Sequence, residues 1–349
     1  MGDPTMSDSL TRYSRQILFP AIGSKGQEQL AAAKVGLVGL GALGATIAEI
    51  LVRAGIGHLV AIDRDVVESS NLHRQGLYRE QDAALRMPKA VAAAKALEAI
   101  NAKVVVEAHA KDFNATNAEE LFAGCSLLLD GSDGFETRYL INDLAIEMDV
   151  PWIYGACLAS GGMTATIRPG VTPCLACLFP EPPEPGTQES CDTAGIIAPA
   201  AQITASLQVT EALKYLVGDL ESLRNSLLSF ELWPFRLVEI GKNNPRPRKD
   251  CRSCAEKDLR YLHDRRPTKT VSLCGRNSVQ IIPGERQQLD LAEYEARLSK
   301  VGELQSNSFS LTLKVGDHHI TVFQDGRGLV RGTDDPGEAR SLYQRYVGL

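Results

Sequence analysis

Two pairs of cysteines with the spacing of metal ligands stand far apart in the sequence. Cys174 and Cys177 form one CxxC pair, and Cys251 and Cys254 form a second. Each pair can supply two thiolates from one turn, and four thiolates are a typical ligand set for a tetrahedral zinc ion. A redox-active pair or four buried thiols are the alternatives. Because protein atoms would fill all four positions, the spacing predicts a structural zinc ion that does not bind substrate.

A glycine-rich stretch predicts a site for a nucleotide. Gly39, Gly41 and Gly44 have GxGxxG spacing between a buried strand pattern, Val35–Leu40, and a helical pattern. Such a turn directs backbone N–H groups at a phosphate beside the positive end of the helix. Asp63 follows a second apolar run, about 20 residues after the turn, where its carboxylate can accept hydrogen bonds from a ribose.

Polar and basic residues beyond Asp63 narrow the choice of nucleotide. Asn71 and Arg74 belong to a polar string after the second strand pattern, and Lys89 begins the next helical pattern. Two cations added to a glycine-rich turn exceed what a bridging diphosphate requires and suit a triphosphate under attack. The sequence therefore favours ATP. A NAD-dependent oxidoreductase, which the glycines and Asp63 alone would permit, leaves Arg74 and Lys89 unexplained.

Two carboxylates follow the next buried strand pattern, in the string LLLDGSDG. Asp130 and Asp133 could cap the following helix. Alternatively, one of them could be a magnesium ligand, because an ATP site needs a hard oxygen donor near the phosphates.

Cys191 and Arg15 each have a plain and a chemical interpretation. Cys191 lies between a Pro- and Glu-rich loop and a long helical pattern. A thiol near a helix start can have a lowered pKa and act as a nucleophile, but a loop cysteine without a role is the alternative. Arg15 lies near the N-terminus, where a lone arginine is typical of a solvated surface charge.

Strand patterns and helix patterns alternate along the chain up to Ala156, and these elements must position the residues named above. This alternation predicts an α/β fold with a doubly wound, Rossmann-like, mostly parallel sheet, in which ligands collect beyond the carboxyl ends of the strands. Short strand patterns and two helical patterns at the C-terminus predict a small α+β domain. We therefore divide the chain into an N-terminal helical segment (1–33), a nucleotide-binding domain (34–160), a zinc region with a crossover loop (161–266) and the C-terminal domain (267–349).

Composition excludes several classes of function. A net charge of −6 argues against a general nucleic-acid binder, because no basic surplus exists to neutralise phosphates. No apolar run approaches the roughly 18 residues that a membrane helix needs. The first residues lack the basic and apolar regions of a secretory signal. Eight cysteines without such a signal indicate metal or nucleophile chemistry in the cytoplasm and not disulfides.

Residues from about 10 to 262 resemble the MoeB/ThiF/HesA family of sulfur-carrier adenylyltransferases, bacterial relatives of the ubiquitin-activating enzymes. The resemblance is carried by the strings RYSRQI, VGLVGLGALG, IDRDVVESSNLHRQ, PKA, DGSDGFETR, TPCLACL, CDTAGIIAP, LQVTEALKYL and CRSC. It implies an ATP-dependent adenylation, in a homodimer, of the Gly-Gly carboxylate that ends a small ubiquitin-like sulfur carrier. Pyrophosphate would be released, and residues 161–266 would bind the carrier. The alternative is a non-catalytic scaffold, like the inactive partner halves of eukaryotic activating enzymes.

The resemblance also implies roles for single residues. Arg15 would reach the ATP site of the other subunit, which replaces the surface-charge interpretation. Cys191 matches a cysteine that becomes linked to the carrier in some members and is dispensable in others. Asp133 would be the catalytic, magnesium-associated aspartate, although Gly134 follows it where the family has Asn, so an amide contact to the adenine or ribose is lost. The remaining assignments are the nucleotide loop (Gly39, Gly41 and Gly44), the ribose ligand (Asp63), the phosphate ligands (Asn71, Arg74 and Lys89) and the structural zinc ligands (Cys174, Cys177, Cys251 and Cys254).

Overall fold

The computed structural model describes residues 11–181, 194–241, 246–263, 269–273, 277–282, 288–299 and 301–347. The chain divides into two compact units. The larger unit contains the residues up to Pro183 and Ile196–Asp264, and the smaller unit contains Arg265–Leu349. Within the described ranges, no helix is both long enough and apolar enough to cross a membrane.

One eight-stranded sheet forms the centre of the larger unit. Along the sheet the strands lie in the order β3-β2-β1-β4-β5-β6-β7-β8, so that the chain reverses its direction of travel between β1 and β4. The first five strands pair in parallel, and the last three pair antiparallel to their neighbours. The strands are β1 Lys34–Val38, β2 His58–Ile62, β3 Val105–His109, β4 Leu127–Asp130, β5 Trp152–Leu158, β6 Gly161–Ile167, β7 Leu227–Leu232 and β8 Phe235–Ile240.

Helices cover both faces of this sheet. Leu37 of β1 belongs to an apolar core that also contains residues of α3, α5 and α9, whereas the next residue, Val38, belongs to a second core with residues of α7. This alternation follows from the pleat, which directs successive side chains to opposite faces. The helices are α1 Ser14–Ile17, α2 Gly23–Ala32, α3 Ala42–Ala54, α4 Glu80–Ala84, α5 Lys89–Ile100, α6 Ala118–Leu121, α7 Phe135–Met148, α8 Leu175–Leu178, α9 Ala198–Leu216 and α10 Arg260–His263.

The smaller unit contains a six-stranded antiparallel sheet in the order β11-β12-β13-β14-β10-β9. Apolar residues of its strands, such as Val279 and Val330, share a core with Ala339 and Tyr343 of its last helix. The elements are β9 Lys269–Leu273, β10 Ser278–Ile282, α11 Leu291–Leu298, β11 Glu303–Ser306, β12 Ser310–Val315, β13 His318–Phe323, β14 Gly328–Arg331 and α12 Pro336–Tyr346.

The predicted fold class is confirmed, with its parallel sheet and its separate small α+β unit. The sequence patterns did not reveal the hairpin formed by β7 and β8. Every residue of β8 is exposed, so the strand lacks the alternation of buried and exposed positions that identifies a half-buried strand. A one-turn helix, α10, begins at Arg260.

Candidate functional site

The glycine-rich turn joins β1 to α3, and its three glycines lie in different surroundings. Gly39 has φ +90°, and a Cβ atom there would lie 2.6 Å from the carbonyl oxygen of Gly131. At Gly44 a Cβ atom would lie 1.9 Å from the carbonyl oxygen of Gly39. At Gly41 the nearest such neighbour is the Nε2 atom of Gln75 at 4.0 Å. Packing therefore requires Gly39 and Gly44, whereas the space above Gly41 is open.

Asp63 lies beside this turn, immediately after β2. Its Oδ2 atom accepts a hydrogen bond from the backbone N–H of Leu40 at 2.6 Å, and its Oδ1 atom accepts one from Asp65 at 2.7 Å. Burial raises the pKa of Asp63, although the charge of Lys89 opposes this shift. Each carboxylate oxygen has a second lone pair, so Asp63 can still accept hydrogen bonds from the hydroxyls of a ribose.

Lys89 is the first residue of α5, and its side chain is almost fully buried. Its Nζ atom donates to Oδ2 of Asp65 at 3.1 Å, and its backbone N–H donates to the carbonyl of Asp65. Burial alone would lower the pKa of Lys89, but the charges of Asp65 and Asp63 outweigh it and raise the pKa. Lys89 is therefore a cation held inside the site. Asp65 was not among the sequence-predicted residues, and the signal that could have identified it was its position two residues after Asp63.

The polar string after β2 lies against the turn. Asn71 is buried, and its Oδ1 atom accepts a hydrogen bond from the N–H of Glu68 at 3.1 Å. The Arg74 guanidinium donates to the carbonyl of Ser70 at 2.7 Å. Further along the chain, the hydroxyl of the buried Tyr78 donates to the carbonyl of Leu40 at 2.6 Å, which fixes the string to the glycine-rich turn.

Asp130, the last residue of β4, is fully buried. Its carboxylate accepts hydrogen bonds from the guanidinium of Arg138 at 3.1 Å and from the hydroxyl of Ser132 at 2.6 Å. Arg138 is also buried, and it lies over the rings of Phe135 and Tyr154. Both carboxylate oxygens of Asp130 therefore already accept hydrogen bonds inside the protein. Arg138 was not among the sequence-predicted residues, because no local pattern marks a helix arginine as the partner of a strand carboxylate.

Asp133 differs from Asp130, because its side chain is exposed. It is nevertheless close enough to Lys89, Arg64 and Arg138 for its charge to contribute to the raised pKa of each. The structure thus brings Asp133 to the edge of the sheet where Asp63 and Lys89 lie. The following residue, Gly134, precedes α7 and provides no side-chain cap.

The structure does not bring Arg15 to the nucleotide turn of its own chain. Arg15 is exposed on α1, and the neighbouring Gln16 donates to the carbonyl of Ala54 at the C-terminal end of α3. The glycine-rich turn lies at the other end of this helix, about 20 Å away for 13 residues. Leu18 and Phe19, next to Arg15, are 69% and 58% exposed.

Cys191 lies outside the described residues. Its proposed linkage to the carrier therefore stays a prediction.

The four cysteines of the CxxC pairs come together, with all four Sγ atoms within 4.8 Å of one another. The Sγ–Sγ distances are 3.8 Å for Cys174 and Cys177, 3.6 Å for Cys174 and Cys251, and 3.5 Å for Cys177 and Cys254. Four thiolates at a Zn–S distance of about 2.3 Å would lie about 3.8 Å apart in a tetrahedron, so the cluster fits a zinc ion in size and in donor chemistry.

Comparisons with known proteins agree with this arrangement. The family model described as "ThiF family" matches residues 13–253. The chain is 43% identical to the sulfur carrier protein ThiS adenylyltransferase of Bacillus subtilis (strain 168), over 97% of this chain and 99% of that protein. It is 40% identical to the sulfur carrier protein adenylyltransferase of Thermus thermophilus, over 68% of this chain and 89% of that protein.

A similar fold occurs in E. coli MccB with ATP, with a TM-score of 0.61 and 22% identity over 70% of this chain and 74% of that chain. At this identity the likeness concerns the fold. The match to the family model and the identity to its relatives over most of their length lead to one conclusion: this chain is a member of the ThiF family.

Proposed function

We propose that this protein adenylates the C-terminal Gly-Gly carboxylate of a small ubiquitin-like sulfur carrier, such as a ThiS-like protein, and releases pyrophosphate from ATP. One observation carries the proposal. Lys89 and Asp133 lie within electrostatic range of each other beside a glycine-rich turn that is open above Gly41. Relatives with this activity in their names are 40% and 43% identical to the chain, which supports the same activity here.

The reaction joins two anions, so the task of the protein is to position them and to neutralise their charge. The carrier carboxylate is already ionised at pH 7, so it attacks the α-phosphorus without a general base. The bond to pyrophosphate breaks as the bond to the carboxylate oxygen forms. Lys89 uses one of its three N–H donors on Asp65, which leaves two for phosphate oxygens. Arg74 and Asn71 would contact the remaining phosphate groups.

Asp133 is the residue that we propose as the magnesium-associated aspartate. Its carboxylate is exposed, whereas the Asp130 carboxylate is occupied by Arg138 and Ser132. A carboxylate oxygen is a ligand that magnesium prefers, so Asp133 fits the ion. When bound, magnesium would neutralise charge on the phosphates.

An exposed apolar strand supports carrier binding by residues 161–266. Phe235, Leu237, Val238 and Ile240 of β8 are each about half exposed or more, and Trp233 in the preceding turn is 82% exposed. Exposed apolar patches of this kind mark interaction surfaces. The turn between β7 and β8 lies at the carboxyl edge of the parallel strands, because β7 runs in the same direction as β5. A carrier bound to β8 could therefore extend its tail along this edge to the nucleotide.

A homodimer is part of the same proposal. Arg15 lies at the far end of α3 from its own glycine-rich turn, so a role at an ATP site requires a second subunit. The exposed Leu18 and Phe19 beside it are suited to contact with that subunit.

We also propose a cytoplasmic location, where four reduced thiols can hold zinc as a structural ion. The division of residues 34–266 into nucleotide-binding and carrier-binding parts belongs to this proposal as well.

The test is ATP–pyrophosphate exchange with a panel of small Gly-Gly-tailed proteins. We expect the wild type to exchange with at least one carrier and Asp133→Ala to lose about 100-fold or more of this activity while it stays folded. Glu136→Ala, which removes an exposed carboxylate from α7, is the control and should keep full activity.

Full exchange by Asp133→Ala would remove this residue from the catalytic set. No exchange by the wild type with any carrier would favour the scaffold alternative. Non-reducing electrophoresis of the same reactions, with Cys191→Ala for comparison, tests the covalent linkage, which requires a thiol-sensitive adduct that the variant lacks.

A further inference from the structure

Arg64 directly follows Asp63, the proposed ribose ligand, in the sequence. Arg64 donates from Nη1 to Oδ1 of Asp112 at 2.9 Å, and its Nε atom lies 4.0 Å from the carboxylate of Asp65. Its side chain is 30% exposed, whereas that of Asp112 is 11% exposed. Arg64 is thus a held guanidinium with part of its surface open.

The loop that holds Arg64 is itself fixed by hydrogen bonds. The Asn117 side chain donates to the carbonyl of Asp112 at 2.7 Å, and the N–H of Asn114 donates back to Asn117 at 3.0 Å. The next residue, Phe113, packs its ring 5.7 Å from that of Phe122. These contacts hold the backbone at Asp112 in place, and the Asp112 carboxylate in turn binds the guanidinium of Arg64.

The order of residues along the sheet edge shows what Arg64 faces. The glycine-rich turn follows β1, Asp63 follows β2, and Asp112 follows β3, which is the next strand outward. Neighbouring strands lie about 4.8 Å apart. A nucleotide with its phosphates on the turn and its ribose on Asp63 therefore directs its base away from β1, toward the pair of Arg64 and Asp112. The contribution of Asp133 to the raised pKa of Arg64 agrees with a guanidinium that faces the site.

We propose that Arg64, held by Asp112, forms one wall of the adenine-binding site and places the flat face of its guanidinium against the base. A guanidinium is planar and stacks on aromatic rings, so an arginine that a carboxylate holds at one edge can still place a face against a base. This inference rests on the ATP binding in the proposed function and adds the residue that contacts the base.

The experiment measures the binding of ATP and of inorganic triphosphate, which lacks ribose and base, to the full chain without a carrier. Arg64→Ala should weaken ATP binding roughly tenfold, because stacking on a base has about this effect. Triphosphate binding should stay within about twofold of the wild type if the contact is to the base. Arg64→Lys keeps the charge but lacks the plane, so it should lose most of the same affinity. Asp112→Asn should give a smaller loss in the same direction.

Arg53→Ala is the matched control, since Arg53 also donates to a carboxylate, Glu49, at 2.9 Å but lies at the far end of α3. It should bind both ligands like the wild type. Unchanged ATP binding by Arg64→Ala would overturn the inference, as would an equal loss for ATP and triphosphate, which would assign Arg64 to the phosphates. Full ATP affinity in Arg64→Lys would also overturn the inference, because the positive charge alone would then account for the effect of Arg64. A wild type that binds no ATP would contradict the proposed function instead.

Discussion

The glycines at positions 39, 41 and 44 share one sequence pattern but not one physical role. Gly39 and Gly44 allow two backbone segments to approach, whereas a methyl group at Gly41 would meet nothing closer than a side-chain nitrogen at 4.0 Å. The packing therefore requires two of these glycines and does not require the third. A phosphate that approaches the turn would occupy the open space that an added side chain would fill.

We therefore expect Gly41→Ala to fold with an unfolding temperature within about 2 °C of the wild type and to bind ATP about tenfold more weakly or worse. Thermal unfolding and ATP titration check this. Gly76→Ala, at an exposed glycine where a Cβ atom would meet nothing within 4 Å, is the control for both measurements. A stable Gly41→Ala protein with normal ATP affinity would place the phosphates elsewhere.

At the residue scale, the local pattern predicted Asp63 and Lys89 but not Asp65, which contacts both, and it left Asp130 and Asp133 as alternatives. The glycines and Asp63 belong to one strand-turn-helix-strand unit, so their spacing in sequence reflects their spacing in space. Asp65 becomes a partner of Lys89, 24 residues away, only when the chain folds back at α5. Asp112 is 48 residues from Arg64, and no sequence pattern records that contact.

The junction between β4 and α7 depends on one buried ion pair, that of Asp130 and Arg138. Burial raises the pKa of Asp130, and the charge of Arg138 opposes this shift. Removal of one partner from a buried pair leaves an uncompensated charge and typically costs about 3–5 kcal/mol. The loop that carries Asp133 begins at this pair, so the junction also determines where that carboxylate lies.

We expect Arg138→Met to lower the free energy of unfolding by about 3–5 kcal/mol at pH 8 and by less at pH 5.5. An acid whose pKa is raised in the folded state takes up a proton more readily when folded, so stability increases as the pH falls through that pKa. Without Arg138 the pKa of Asp130 rises further, and its protonation at lower pH removes the unpaired charge.

Urea denaturation at the two pH values, each compared with the wild type, provides the measurement. In the double variant Asp130→Asn with Arg138→Met no ionisable group remains at this position, so its deficit should not shrink as the pH falls. A deficit for Arg138→Met that is equal at pH 5.5 and pH 8, or larger at pH 5.5, would contradict this account of the pair.

At the element scale, the buried parallel strands were predictable and the exposed hairpin was not. Continuous apolar runs such as that of β4 mark strands covered on both faces, and helices between them predict the parallel order. The apolar residues of β8 lack this pattern, because every residue of the strand is exposed. A sequence pattern records burial within one molecule and gives little information about a surface that another molecule covers.

A subunit-mixing experiment tests the homodimer. If Arg15 serves the ATP site of the other subunit, Arg15→Ala and Asp133→Ala are each inactive alone. In a mixed dimer, one site combines an intact Asp133 with an intact Arg15. After dissociation and random reassociation of equal amounts, about a quarter of the wild-type exchange activity should return, because half of the dimers are mixed and each has one intact site.

Two copies of the same variant, mixed and treated identically, are the control and should stay inactive. If the mixture of the two variants also stays inactive, although mass spectrometry detects mixed dimers, Arg15 does not act on the other subunit.

Metal analysis tests the four-thiol cluster. We expect about one zinc ion per purified chain and its loss in Cys177→Ser. The binding energy of a structural metal contributes to folding, so chelation should lower the unfolding temperature by several degrees. Cys125→Ala, which changes a buried thiol outside the cluster, should retain the metal. A chain that holds no zinc and is unaffected by chelators would favour the alternative of four buried thiols.

The four-thiol cluster joins segments that are synthesised at different times. Cys251 follows Cys174 by 77 residues, so translation at about 5–20 residues per second separates the two pairs by roughly 4–15 s. All the parallel strands leave the ribosome before the second pair is complete. The nucleotide-binding sheet can therefore begin to form first, whereas the segment with α9, β7 and β8 becomes a closed loop only later. During this interval the first pair of thiols is without its partners, so oxidation of the nascent chain would prevent metal binding.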